Sequence, residues 1–292
     1  MTTPLLSGKT ALVTGASRGF GEAIARALWA AGASLALLAR DRRALEEVAA
    51  SLPDAPAGNP GQTVGVFPCD VADLASLEAA WAGVAHRFGH VDVLVNNAAV
   101  QGPLGPLETL DFAEWKRVFD VDLFAAVRLC QLAIPGMRAK GGGKIINISG
   151  GGATGPRPDV TAYAAAKTAL VRLGETLAEE LKPDRIDVNG VSPGAMNTRM
   201  LEETLAAGPT GIRGEYAKAV ERKQKNTGVP PEKAAELVVF LASPLSDGIT
   251  GRLIAAVWDD WRSLPGRREE LAKTDVYTLR RVVPKDRGLG WE

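Results

Sequence analysis

The stretch that decides the fold is Thr10-Ala11-Leu12-Val13-Thr14-Gly15-Ala16-Ser17-Arg18-Gly19-Phe20-Gly21. An apolar run fit for a buried strand, Thr10–Thr14, passes directly into a loop with glycines at 15, 19 and 21. A segment of helical period, Gly21–Ala31, follows. Glycine lets a chain turn tightly and bring its backbone close to a ligand. The helix start beyond it offers unpaired N–H groups and the positive end of a dipole, so the loop suits a pyrophosphate.

The same alternation continues outward. Ser34–Leu38, Thr63–Phe67, Val91–Val95, Lys144–Ile148 and Ile186–Val191 read as further buried parallel strands. Asp41–Ser51, Asp73–Phe88, Asp111–Arg138 and Ala162–Leu181 read as the helices between them. A last helix, Pro231–Ala242, precedes a last strand near Arg252–Ala256. Alternation this regular predicts an α/β fold: a Rossmann-type doubly wound parallel sheet in three α/β/α layers, a single domain over residues 1–257. Three segments break the rhythm. Pro53–Gly61 reads as a surface loop. Arg199–Gly228, with glycines at 208, 211 and 214, reads as a mobile segment beside the site. Residues 258–292 form a polar extension carrying Trp258, Trp261 and Trp291, expected to cap the site, to contact a neighbouring subunit or to pack on the surface.

Composition narrows the function. The 292 residues are 46% hydrophobic, and 34 Lys+Arg balance 34 Asp+Glu, so no global field recruits nucleic acid or a membrane surface. No apolar run approaches the roughly 18 residues of a membrane span. The opening MTTPLLSGKT lacks the pattern of a signal peptide. Cys69 and Cys130 have neither metal spacing nor a disulfide framework, which suits a reducing cytosol. A cytoplasmic protein acting on a small molecule is expected, with no metal.

Two further features bear on chemistry. The second strand ends Leu37-Leu38-Ala39-Arg40, without the carboxylate that usually receives the ribose 2′-OH of NAD. Arg40 and Arg18 bring guanidinium groups towards that spot instead, which fits the 2′-phosphate of NADP(H). Tyr163 and Lys167 lie four apart and share one helix face. An ammonium beside a phenol, together with an oxidised nicotinamide, is expected to lower the phenol's pKa and make it a usable acid and base.

The glycine spacing TGxxxGxG resembles that of short-chain dehydrogenases/reductases, and further blocks of that family follow in order. These are Asp70-Val71, Asn96-Asn97-Ala98-Ala99, Tyr163-Ala164-Ala165-Ala166-Lys167, Pro193-Gly194 and Thr198. The resemblance spans about residues 7–256. It implies that Asp70 meets the adenine, that Asn97 and Ala98 line a ribose, and that Lys167 holds the nicotinamide ribose. Pro193, Gly194 and Thr198 would hold the carboxamide side. The implied cofactor site comprises Gly15, Ser17, Arg18, Gly19, Phe20, Gly21, Arg40, Asp70, Val71, Asn97, Ala98, Tyr163, Lys167, Pro193, Gly194 and Thr198. Relatives of this type pair long helices between subunits, so Asp111–Arg138 and Ala162–Leu181 are expected to form a homodimer or homotetramer.

Two departures from the family pattern stand out. The usual serine thirteen residues before the tyrosine is Gly150, with Ser149 one place early and Thr154 beyond. Where the family has an asparagine that holds a water in its proton relay, this chain has Asp122, which adds a charge. The leading expectation is an NADP(H)-dependent oxidoreductase on a carbonyl/alcohol pair, with Tyr163, Lys167 and a shifted Ser149 as catalytic residues. The alternatives are an NADP(H)-binding regulatory or scaffold protein with little turnover, and a redox-assisted epimerase or lyase. His86 and His90 read as helix-end residues. Lys218, Arg222, Lys223 and Lys225 read as a solvated face, or as an attraction for an anionic substrate.

Overall fold

A computed structural model describes residues 4–55, 59 and 61–291. Of the Pro53–Gly61 loop, residues 56–58 and 60 lie outside the described residues. Seven parallel strands form one sheet in the order β3-β2-β1-β4-β5-β6-β7. They are β1 (Thr10–Thr14), β2 (Ser34–Ala39), β3 (Val64–Pro68), β4 (Val93–Asn96), β5 (Gly143–Ile148), β6 (Ile186–Ser192) and β7 (Leu253–Ala255).

Alternate residues of each strand feed opposite layers. Val13, Leu35, Leu37, Val93, Val95, Ile146 and Ile254 face one core with α1 (Gly19–Ala30), α2 (Arg42–Ala50) and a late helix, Pro231–Ala242. Leu12, Ala36, Leu38, Leu94, Ile145 and Val188 face the other, with α3 (Leu74–Phe88) and helices Ala125–Ala139 and Thr161–Leu181. This is the three-layer sandwich expected. Three helices begin one residue after an aspartate whose carboxylate accepts a first-turn N–H: Asp41 from Ala44, Asp73 from Ala75 and Asp111 from Glu114.

The helix expected over Asp111–Arg138 is two. α4 (Phe112–Phe119) passes through one π-helical turn, Asp120–Phe124, into α5 (Ala125–Ala139). The wider turn carries Asp122, whose carboxylate is spent on tertiary partners rather than solvent. α6 (Thr161–Leu181) then crosses the sheet. The segment Arg199–Gly228 is helical instead of loop-like: α7 (Arg199–Ala206), the one-turn α8 (Gly208–Gly211) and α9 (Arg213–Lys225). α10 (Pro231–Ala242) leads to β7, and α11 (Arg268–Lys273) lies in the extension.

The extension belongs to the molecule's own packing. Trp261, Leu264 and Leu271 are buried in the first core, and Trp261 stands 5.3 Å from Phe240. Leu253 N–H donates to the Tyr277 carbonyl at 2.8 Å, so the chain returns along the open edge of β7. Arg252 donates to the carbonyls of Leu271, Thr274 and Val276, and Leu279 N–H to Glu175 on α6. Trp258 and Trp291 are exposed. Among the described residues no helix is long and apolar enough to cross a membrane, and no cluster of candidate metal ligands occurs. Burial pushes the thiols up, Cys69 to about 11 with help from Asp70, and Cys130 to about 12.

Candidate active site

The strand order reverses between β1 and β4, and the crevice outside their carboxyl ends is where such sheets bind ligands. The glycine loop lies here. Gly15 and Gly19 have φ of +66° and +59°, a region that L side chains rarely adopt. Gly21 is needed for a different reason: a Cβ there would stand 2.1 Å from the Gly15 carbonyl oxygen and 2.6 Å from Asn97 Nδ2. Across the switch point, Thr14 Oγ1 accepts the N–H groups of Asn97 and Ala98, each at 2.9 Å, and Asn97 Nδ2 donates to the Thr14 carbonyl. These two residues therefore tie β4 to β1 as well as lining the crevice.

No side chain caps the first turn of α1, whose N-cap is Arg18. The helix start thus has no side-chain acceptor of its own, as a pyrophosphate site requires. Arg18 and Arg40 are exposed, and among the described residues neither forms an ion pair, while Ala39 is buried at the end of β2. Asp70 caps Ala72 and pairs with Arg117 at 3.0 Å. Burial alone would raise its pKa, but the Ala72 bond and the Arg117 and Arg40 charges hold it below the usual carboxylate range. Val71 beside it is buried. Beyond β6, Gly194 (φ +87°) packs where a Cβ would come within 2.9 Å of Val229. Thr198 sits at the start of α7, its methyl 3.9 Å from the position of a Cβ on Gly19, so the two loops meet across the crevice.

Tyr163 and Lys167 are both buried on α6. The Tyr163 hydroxyl is so close to Gly150 that a Cβ there would stand 2.1 Å from it, and only glycine fits. The position of the missing serine is thus filled by the phenol. Ser149 extends β5, its N–H donating to the Val191 carbonyl, and its buried hydroxyl has no hydrogen-bond partner. It does not reach Tyr163. Thr154 is exposed.

Lys167 is held by two partners. Its Nζ donates to the Ile148 carbonyl at 3.0 Å and lies 3.4 Å from Asp122 Oδ2, both side chains being shut off from solvent. Asp122 Oδ1 accepts the Val100 N–H at 2.8 Å. Burial raises the Asp122 carboxyl's pKa, with Lys167 and the Val100 bond opposing. The Tyr163 phenol is pushed well up, by burial first and then by the Asp122 charge. The opposing cation is Arg157, which the sequence reading missed. Its guanidinium carbon lies 5.8 Å from the Tyr163 ring centre, and Glu215 of α9 holds it at 3.0 Å. Gln101 and Thr204, a buried pair at 3.2 Å, were also missed. No local motif marks any of them. Of Lys218, Arg222, Lys223 and Lys225 on α9, three pair with carboxylates: Lys218 with Glu215, Lys223 with Glu202 and Lys225 with Glu221.

Known proteins are similar to this chain over most of their length. The family model described as short chain dehydrogenase matches residues 9–208. D-threitol dehydrogenase of Mycolicibacterium smegmatis is 37% identical over 248 residues, 84% of this chain and 90% of that protein. L-sorbose reductase from Gluconobacter frateurii, solved with NADPH and L-sorbose, is 32% identical with a TM-score of 0.75, covering 87% of this chain and 97% of that one. A 7α-hydroxysteroid dehydrogenase solved with NADH and 7-oxo glycochenodeoxycholic acid is 29% identical with a TM-score of 0.74, covering 87% and 94%. With the parallel sheet, its switch-point glycine loop and these matches in agreement, the chain belongs to the short-chain dehydrogenase/reductase family of oxidoreductases.

Proposed function

We propose that the protein is an NADP(H)-dependent oxidoreductase that interconverts a small-molecule carbonyl and the corresponding alcohol, with Tyr163 as acid and base. One observation carries this: the Tyr163 phenol stands against Gly150 just beyond β5, with Lys167 one helical turn away. The solved relatives divide between NADPH and NADH, so the fold does not choose between them. The choice rests on Arg18 and Arg40, two guanidinium groups without ion-pair partners among the described residues, flanking a loop without an opposing carboxylate. When bound, the nicotinamide supplies or accepts the hydride. In reduction the substrate carbon gains the hydride while Tyr163 Oη gives its proton to the substrate oxygen; oxidation reverses both transfers. Gly150 offers no hydroxyl, so the phenol works without the second donor that a serine would supply.

A second reading, an NADP(H)-binding protein with little turnover, is favoured by the Asp122–Lys167 pair and by Gly150. A homo-oligomer is supported by an aromatic row on α4 and the π turn. Phe112, Trp115, Phe119 and Phe124 follow one another at ring separations of 6.4, 4.9 and 6.2 Å, and Phe112 and Phe124 are exposed. Assaying NADPH oxidation against a panel of ketones, aldehydes and keto sugars tests the main reading. Turnover that vanishes in Tyr163→Phe while NADPH affinity persists supports it; turnover that survives the substitution sinks it. No turnover with any member, but tight NADPH binding, selects the second reading.

A further inference from the structure

This inference rests on Tyr163 being the acid/base group. We propose that Arg157, and not Lys167, is the cation that stabilises the Tyr163 phenolate, a positioning residue set in that role because Asp122 has taken up the lysine's charge. Lys167 Nζ is 5.7 Å from the tyrosine ring centre, but its charge faces Asp122 Oδ2 at 3.4 Å and it donates a hydrogen bond to the Ile148 carbonyl at 3.0 Å. Asp122 thus opposes the lysine's charge at the phenol. Arg157 lies at the same range, 5.8 Å, on the loop between β5 and α6. Its side chain is only 20% exposed, so water screens its field poorly.

Among the described residues, the charged groups facing Tyr163 are few. Its own helix contributes Lys167, the π turn contributes Asp122, and the β5–α6 loop contributes Arg157. α9 contributes Glu215 behind Arg157, with Lys218 at 3.6 Å behind that. α4 presents Val118 and Trp115 to the same apolar cluster, without charge. Glu215 thus controls how much of the Arg157 charge the phenol feels, which couples the helical segment over the site to its acid/base group. Burial and Asp122 raise the phenol's pKa while Arg157 opposes them, in keeping with this arrangement.

The chain has three tyrosines, so protein labelled with carbon-13 at tyrosine Cζ gives three resonances, and the one lost in Tyr163→Phe is assigned. Its midpoint is followed by pH titration with saturating NADP+, in the full chain and again on an Asp122→Asn background, where the phenol is expected to titrate lower. One charge at this distance in an effective dielectric of about 20 shifts a pKa by about two units, and Glu215 cancels roughly half of it. Arg157→Gln is therefore expected to raise the midpoint by about one pH unit, Arg157→Lys to stay near the parent, and Glu215→Gln to lower it. Asp122→Asn should lower it too, by freeing Lys167. A purely structural tie between Arg157 and Glu215 would move both Gln variants in the same direction. That result, or a midpoint unmoved by Arg157→Gln on both backgrounds, overturns the proposal. The readout needs no turnover, so it is separate from the Tyr163→Phe assay that tests the acid/base reading itself.

Discussion

Gly150→Ala puts a single methyl group where the structure has least room for it. Its Cβ would lie 2.1 Å from Tyr163 Oη, 2.9 Å from Cζ and 3.0 Å from Cε1. The phenol must retreat by about 0.9 Å to reach even 3.0 Å, and it cannot do so freely. Tyr163 is 6% exposed and packs with Val118, Val160, Ala162 and Ala166. Overpacking of this size costs about 2 kcal/mol, which in a chain of this length lowers Tm by about 3 °C. The assay is a double-mutant cycle read by thermal unfolding. Tyr163→Phe removes the atom at 2.1 Å and leaves the nearest ring carbon at 2.9 Å, so Gly150→Ala in that background should cost less than about 1 kcal/mol. The same loss in both backgrounds would refute the contact and the reason given for glycine at this position. The argument also bears on function. Gly150→Ser brings the same Cβ, so it should displace the phenol and lower turnover, rather than restore a missing hydrogen bond.

Other perturbations separate the parts of the molecule. Arg40→Ala should weaken NADPH binding about tenfold or more and leave NADH binding nearly unchanged, since a charge-assisted hydrogen bond is worth about 1.5–3 kcal/mol; paired titrations at fixed ionic strength check this. Phe112→Glu should shift the light-scattering mass downward if the aromatic row joins subunits, and leave it unchanged if that row is merely solvated. Trp261→Ala should cost about 3–5 kcal/mol in chemical denaturation, because the side chain fills the first core against Phe240 and is not a surface decoration.

The alternation of strands and helices, the glycine loop and the Tyr163–Lys167 spacing were legible because each is a local pattern. A strand buried on both faces must be apolar throughout, a helix start must follow the turn, and residues four apart must share a face. Helix starts were read within a residue or two because Asp41, Asp73 and Asp111 cap them. The missing serine and the added aspartate could be counted off against the family pattern. Their consequences could not, because those depend on contacts between residues far apart in the chain. Asp122 meets Lys167 only because a π turn swings it towards α6, 45 positions later. Arg157 reaches the face of Tyr163 from a loop and is held there by Glu215, 58 residues on. Between Arg199 and Lys225, α7 is only eight residues long and α9 carries too weak an apolar period to declare itself; Leu201 and Ile212 pack inward and ion pairs tie the helices. Which charge a buried phenol feels is a matter of a few ångströms in a poorly screened interior; residue types and spacing name the groups, but only the tertiary structure decided that the lysine was already taken.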